Sequence, residues 1–499
     1  MSPPRTLSLH PSITRLFSRW SLSFSSSSGS DDSLSDSCDS DPVLVSSVAS
    51  VLIHRRSKSR WSTLLSLYPQ GFTPHQVSQI LLQIRNNPRL ALRFFQFTLH
   101  NSLSSHSLHS YSTMIHILAR ARLKTHARSL IKAAIRFSES IIDDDPQELC
   151  AEGHKIFVIL VQTYRLCDSA PFVFDLLIQA CLELNRIDTC IKIVQLLRSR
   201  GICPNVCTCN SLIASVSKNR GCHFGYDLYE EIFRSDDRSL NGGFSAKILP
   251  NVQTFNCLLL SFYQTGSVDM VEQVWVEMGR MNCKPNLCSY NILMAAYCDE
   301  GELGKTWKLW EEMKLEGLKQ DVVAYNTLIG GYCKTGEIER GEELHTEMGL
   351  YGIESTCVTY QHLINGYCKI GNVHSAMLLY EDMRRKGFSP DSSTIDTLVR
   401  AFCSKAKISE ALDLFRIVTR NANFVARKTT YVYLLKGLCR GGQMNEAHEL
   451  QAEMVGKGLN PDSDIYCAFI DGYTNQGKPD IAELLRKEMA KTQAWPNGG

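Results

Sequence analysis

Two series of short polar side chains run through this 499-residue sequence in step. One comprises Asp175, Asn210, Asn256, Asn291, Asn326 and Gln361; the other comprises Asn205, Asn251, Asn286, Asp321, Thr356 and Asp391. Amides and carboxylates in such positions can tell a hydrogen-bond donor from an acceptor, which is recognition chemistry. The second series has an ordinary alternative role, because Pro-Asx just before a helix is a good N-cap arrangement. The asparagines of the first series are harder to explain as caps, since each follows a Tyr, Phe or Cys inside a first helical turn. Their shared phase favours recognition. A further phase is basic: Lys218, Lys334, Lys369 and Arg440 recur as candidate anion contacts, or as part of a solvated helix face.

Catalytic patterns are not found. Gly331 and Gly336 have phosphate-loop spacing, but Glu337 follows in place of Lys and Ser or Thr. His448-Glu449 begins a zincin-like string whose partner position holds Ala452. No CxxC pair occurs, and neither does an H-x-E with P-C-x-x-C. The expectation is no catalytic residue, no metal site and no cofactor.

The elements that must position the two series are set by a repeat. Units begin at 171, 206, 252, 287, 322, 357, 392, 428 and 463, most of them 35 residues apart, with extra residues at 234 to 247 in the second unit. In DVVAYNTLIGGYCKTG, from Asp321, Tyr325, Leu328, Ile329 and Tyr332 share one helical face. Gly336 interrupts, and Ile338, Gly341, Leu344 and Met348 form the apolar face of a second helix that ends at Gly352. Where Gly341 stands, other units carry Ala376, Ala411, Ala447 and Ala482, a small residue that lets paired helices approach. Such hairpins cannot bury their faces alone, so the pattern predicts an all-α, right-handed α-solenoid superhelix of stacked hairpins of about 35 residues.

Composition agrees with a folded chain: 44% of residues are hydrophobic and 21% charged. No apolar run approaches the ~18 residues of a membrane helix, so no membrane insertion is expected. Of the nineteen cysteines, Cys298, Cys333, Cys368, Cys403 and Cys439 recur with the repeat and read as small, reduced core residues. The first thirty residues hold Arg5, Arg15 and Arg19, no acid and many serines; with Ile13, Leu16, Phe17 and Trp20 at helical spacing, they read as an organelle presequence, mitochondrial in preference to plastid. Pro42 to Ser138 contains thirteen Lys or Arg and no acid, whereas from Glu139 onward 37 basic residues face 46 acidic ones. The segments expected are presequence and Ser-rich linker at 1–41, a basic helical segment at 42–107, a degenerate repeat region at 108–170, and nine repeats over 171–497.

The stretches VVAYNTLIGGYCKTGEIERGEELHTEM, CVTYQHLINGYCKIGNVHSAMLLYEDMRRKGFSPD and TYVYLLKGLCRGGQMNEAHELQAEMVGKGLNPD resemble pentatricopeptide repeats, and RLALRFFQFTLHN at 89–101 resembles the entry helices of plant members. The resemblance covers two-thirds of the chain and points to the plain class of the family, without an editing extension. The tetratricopeptide signature W-x2-L-G-x2-Y is not found.

The resemblance implies a sequence-specific binder of single-stranded organelle RNA, one nucleotide per repeat, acting in transcript processing, stabilisation, splicing or translation. It implies that the fifth and last residues of each unit read the base. The pairs are then Asp175 with Asn205, Asn210 with Asn251, Asn256 with Asn286, Asn291 with Asp321, Asn326 with Thr356 and Gln361 with Asp391. They continue as Asp396 with Arg427, Val432 with Asp462 and Cys467 with Asn497. Asn with Asn implies cytosine and Asn with Asp implies uracil, so the units at 206, 252 and 287 spell C-C-U within a pyrimidine-biased site. In the same way Lys218, Lys334, Lys369 and Arg440 become candidate phosphate contacts. The net acidity of the body places affinity in stacking, base contacts and local basic residues, with protein effectors as further candidate partners. The alternative reading is a helical-repeat scaffold for protein partners, with the phased asparagines structural.

Overall fold

The computed structural model describes residues 42–55, 57–139, 152–234, 248–420 and 424–493. The presequence expected at 1–41, the extra residues at 235–247 and Asn497 lie outside the described residues. Every regular element among the described residues is an α-helix, which agrees with the all-α expectation. Two compact units divide between Thr265 and Gly266.

The N-terminal unit opens with helices Pro42–His54, Ser57–Leu67, Pro74–Gln83 and Pro88–His100, followed by the hairpin Leu108–Arg120 and Lys124–Glu139. Helix Glu152–Thr163 packs against this hairpin, and pairs Val173–Glu183 with Ile187–Arg198 and Val206–Arg220 with Cys222–Phe233 follow. Pro171, expected to open a unit, precedes its helix by two residues; Phe172 is the N-cap and makes no side-chain cap hydrogen bond. The core of this unit holds a buried histidine. His116 is fully buried: its Nε2 lies 3.0 Å from the Leu160 carbonyl and its Nδ1 lies 2.6 Å from Ser169 Oγ. A carbonyl only accepts, so Nε2 carries the proton and the Ser169 hydroxyl donates to Nδ1. Burial lowers the His116 pKa to about 4.

The C-terminal unit shows the repeat plainly. After Val268–Arg280, the hairpins pair Leu287–Glu300 with Leu303–Leu315, Val322–Thr335 with Ile338–Leu350, and Cys357–Lys369 with Val373–Arg385. Ser392–Ser404 with Ile408–Thr419, Lys428–Arg440 with Met444–Gly456, and Ser463–Asn475 with Pro479–Gln493 complete it. Each first helix packs both on its own second helix and on the first helix of the next hairpin. The apolar faces account for this: Tyr325, Leu328 and Ile329 are fully buried, and so are Tyr360, Ile364, Ile395, Leu398, Tyr431 and Leu434 at matching positions.

Three sets of contacts join one hairpin to the next. Aromatic rings of second helices meet the first-helix tyrosine that follows, as in Trp275 with Tyr290 at 5.1 Å, Trp310 with Tyr325 at 5.0 Å and Phe415 with Tyr431 at 5.1 Å. First-helix tyrosines donate hydrogen bonds back to the preceding second helix: Tyr297 to Glu272 at 2.8 Å, and Tyr367 to Glu342. Within a hairpin the same chemistry recurs as Tyr290 to Glu312 at 2.9 Å, Tyr325 to Glu347 at 3.1 Å and Tyr360 to Asp382 at 2.6 Å.

The third set is a close approach of successive first helices at glycine. A Cβ on Gly331 would lie 2.4 Å from Cys298 Sγ, and one on Gly366 would lie 2.8 Å from Cys333 Cβ and 2.7 Å from Ile338 Cδ1. Gly472 and Gly437 repeat the approach less tightly, with an added Cβ 2.8 Å from Met444 Sδ and 3.1 Å from Cys439 Cβ at Gly472, and 3.2 Å from Cys403 Sγ at Gly437. The recurring cysteines are therefore the small residues that fill the groove beside these glycines. All cysteines among the described residues are free thiols, and burial raises the pKa of Cys333 to about 12 and that of Cys298 to about 11, so they stay protonated. Gly341 differs from Gly331 and Gly366, because its added Cβ would come no nearer than 3.3 Å, to Cys333 Sγ.

Two outcomes follow from these contacts. Gly366→Ala should destabilise the chain by roughly 1–3 kcal/mol through overpacking, whereas Gly341→Ala should be neutral or slightly stabilising through helix propensity; chemical denaturation separates them. For His116, the unfolded imidazole binds a proton near pH 6.5, while the folded one resists until about pH 4. Stability should thus be full above pH 6.5 and fall as pH drops from 6.5 towards 4. Thermal melts should show that decline in the native chain, and a shallower one in His116→Gln, which starts from a lower melting temperature.

Candidate nucleic-acid interface

The two polar series occupy the N-terminal ends of the first helices. Members of the second series are N-caps. Asn251 accepts from the Thr254 amide at 3.0 Å, Asn286 from Ser289 at 3.1 Å, Asp321 from Ala324 at 2.9 Å and Asp391 from Thr394 at 2.8 Å. Asn205 accepts from the Cys207 amide at 3.2 Å. The capping role weighed from sequence is thus present at these five positions, and does not by itself distinguish a recognition surface.

Lateral bonds join several of these caps to the first series. Asn210 Nδ2 donates to Asn251 Oδ1 at 3.1 Å, Asn291 Nδ2 to Asp321 Oδ1 at 3.4 Å and Asn326 Nδ2 to Thr356 Oγ1 at 3.2 Å. Asp175 is paired differently, accepting from the Asn205 backbone amide at 2.8 Å; burial pushes its carboxyl above the usual value, against that hydrogen bond. The sequence phase therefore corresponds to physical pairs, one polar side chain from inside a helix and one from the cap of the following hairpin. Asn256 is half-buried on helix Val252–Gln264, and Gln361 is half-buried on Cys357–Lys369.

Residues that the sequence did not single out complete these pairs. The Thr254 hydroxyl donates to Asn210 Oδ1 and the Thr359 hydroxyl to Asn326 Oδ1, each at 2.7 Å. Thr254 and Thr359 are fully buried third residues of their first helices, where a capping box alone would explain them. At the matching position the next helix after Asn291 has Ala324, and Asn291 Oδ1 is buried with no hydrogen-bond partner. An orphaned acceptor of this kind costs about 1–3 kcal/mol. Beside the pairs, the second helical residues Val323 and Val358 are apolar yet exposed by 52% and 45%.

The later positions depart from the pattern. Asp396 accepts from Thr429 at 2.7 Å and from Thr430, and Arg427 stands 3.9 Å away as an ion pair. Asp396, Arg427 and Thr429, with Arg400, Lys428 and Tyr433, line a cleft of about 470 Å³. Asp462 caps Ile465 at 3.2 Å and pairs with Lys428 at 3.0 Å, while Val432 offers no polar group.

The basic series lies at the opposite, C-terminal ends of the same helices, where cations complement the helix dipole. Lys334 Nζ donates to the Asp299 carbonyl at 3.1 Å and pairs with its carboxylate at 3.0 Å, and Lys369 donates to the Lys334 carbonyl. These lysines bridge consecutive first helices. Lys218 and Arg440 are exposed.

The PPR repeat family matches residues 250–294, 285–321, 320–369 and 356–404, and the PPR repeat matches 429–459 and 464–491. The pentatricopeptide repeat-containing protein At2g15980 of Arabidopsis thaliana is 57% identical over 459 residues, 91% of each chain. This chain belongs to the pentatricopeptide repeat family. A second Arabidopsis thaliana pentatricopeptide repeat-containing protein, At5g39710, is 29% identical over 40% of this chain and 24% of its own length. Among solved structures, the maize pentatricopeptide repeat protein PPR10 is 16% identical, with a TM-score of 0.43, over 97% of this chain and 78% of that one. The same protein in complex with an 18-nt psaJ RNA element gives a TM-score of 0.40 and 18% identity, over 90% of this chain and 74% of that one.

Proposed function

We propose that this pentatricopeptide repeat protein binds single-stranded RNA in a sequence-selective manner, one nucleotide per hairpin, and that it is not an enzyme. The observation that carries the reading is the lateral pair repeated from hairpin to hairpin, Asn210 with Asn251, Asn291 with Asp321 and Asn326 with Thr356. Helical repeats of this kind read one base each with two or three side chains. Each pair offers both donors and acceptors at a helix end, and the exposed Val323 and Val358 offer apolar surface against which a base can rest. Asn256 with Asn286, Asp175 with Asn205 and Gln361 with Asp391 extend the same reading.

On this reading the hairpins beginning at 206, 252 and 287 select C-C-U. Lys218, Lys334, Lys369 and Arg440 contribute local positive charge towards the phosphates of a chain whose body is acidic overall. The bound transcript would lie in an organelle. The arginine-containing, acid-free first thirty residues support mitochondria, as does the mitochondrial designation of relatives such as At1g66345, which is 29% identical over 35% of this chain. A bound strand would be shielded from exonucleases or held unpaired for splicing or translation.

Selection from a randomised RNA pool with the full chain tests this. Recovered RNAs should share C-C-U, and Asn256→Ala with Asn291→Ala should abolish the preference. Asp321→Asn, which keeps the cap, should move the third letter from U towards C. An unselected pool, or a preference unchanged by the double substitution, would overturn the reading.

A further inference from the structure

Reading pairs of this kind need the amide held in place, because a side chain tethered at one end only can shift its donor and acceptor to suit more than one base. Around Asn326 the amide is held at both ends by a closed ring of three hydrogen bonds. Asn326 Nδ2 donates to Thr356 Oγ1 at 3.2 Å, the Thr356 hydroxyl lies 3.2 Å from Thr359 Oγ1, and the Thr359 hydroxyl donates to Asn326 Oδ1 at 2.7 Å. Each hydroxyl both donates and accepts, so every member of the ring is satisfied and neither end of the Asn326 amide is left without a partner. Asn210 is held in the same sense. Thr254 Oγ1 reaches both Asn210 Oδ1 at 2.7 Å and Asn251 Oδ1 at 3.1 Å, and its single proton serves the nearer acceptor.

The same device extends to carboxylates. Thr208 hydrogen-bonds Asp175, and Thr430 donates to Asp396. Thr208, Thr254, Thr359 and Thr430 are the third residues of their first helices, all but fully buried, and each reaches across to the preceding hairpin. Capping their own helix would not require that second partner.

Asn291 breaks the series. Asp321 can only accept, so Asn291 Nδ2 must face it, at 3.4 Å, and Oδ1 is left buried and unpartnered because Ala324 supplies no hydroxyl. We propose that the third residue of a hairpin is a positioning residue for base selection one hairpin upstream. Its hydroxyl holds the second end of the reading side chain, and with Ala324 in that place Asn291 is held at one end only. This rests on the proposed RNA reading. The consequence is graded stringency: the nucleotide read by Asn326 is discriminated more sharply than the one read by Asn291.

The test uses the full chain and the RNA that it selects, with four versions varied only at the nucleotide read by Asn326 and four varied only at the nucleotide read by Asn291. Thr359→Val should reduce the ratio of best to worst base at the first of these by about threefold to tenfold, the range of one net hydrogen bond, and Thr359→Ser should preserve it. Ala324→Thr should enlarge the ratio at the second by a similar factor. It asks nothing of the cap that Thr359→Val removes, so it stands even where that variant unfolds. Ratios unchanged by Ala324→Thr would overturn the inference while leaving the RNA reading intact. Equal weakening for all four bases after Thr359→Val, with a lower melting temperature and no effect of Ala324→Thr, would do the same. A wild-type chain without base selection would overturn both.

Discussion

Close approach of successive first helices at Gly331, Gly366, Gly437 and Gly472 is the constraint on which the C-terminal unit depends. At Gly331 and Gly366 a Cβ would stand within 3.0 Å of atoms of the preceding hairpin, closer than side chains can be pressed together. The distance between hairpins is therefore set by backbone against a cysteine thiol, a rigid limit. Tyrosine hydrogen bonds to Glu272 and Glu342, and the rings of Trp275 and Trp310 against the next tyrosine, then fix rotation about that contact. Side chains that share a phase in the sequence are brought into lateral pairs because this spacing does not vary freely.

The polar pairs use that spacing economically. One residue, such as Asn251 or Asp321, caps its own helix and also accepts from the preceding hairpin. On the proposed RNA reading, a cap substitution would disturb helix stability and recognition together, and only replacements that retain an acceptor, such as Asp to Asn, separate the two. Charge is arranged in the same local way. Lys334 answers Asp299 and a helix-end carbonyl, so positive groups sit at one end of the first helices while the amides sit at the other.

Much of the fold was legible because stacking imposes a period on residues whose burial needs no long-range information. Tyr325, Leu328 and Ile329 lie on one helical face by arithmetic, and a family resemblance follows from the same positions. The cysteines were legible as small core residues, but the glycines they face were not, since a glycine inside a helix has no local signature of close packing. Thr254 and Thr359 were hidden for a related reason. Within their own helix they look like the third residue of a capping box, and their other partners, Asn210 and Asn326, lie 44 and 33 residues earlier. The departure at Ala324 has meaning only once those bonds are known. Conversely, the lateral bonds of Asn291 and Asn326 were anticipated as a phase but not as contacts, because periodicity gives position on a helix and not the reach of a side chain.

The central claim is that each hairpin meets one nucleotide. Photocrosslinking tests it most directly: the full chain is bound to its selected RNA carrying a single 4-thiouridine moved one position at a time, and the crosslinked peptide is located by mass spectrometry. The account predicts that the crosslink advances from Leu287–Glu300 to Val322–Thr335 to Cys357–Lys369 as the label moves by one nucleotide each time. Crosslinks that stay on one helix, or that scatter over the second helices of the hairpins, would contradict it.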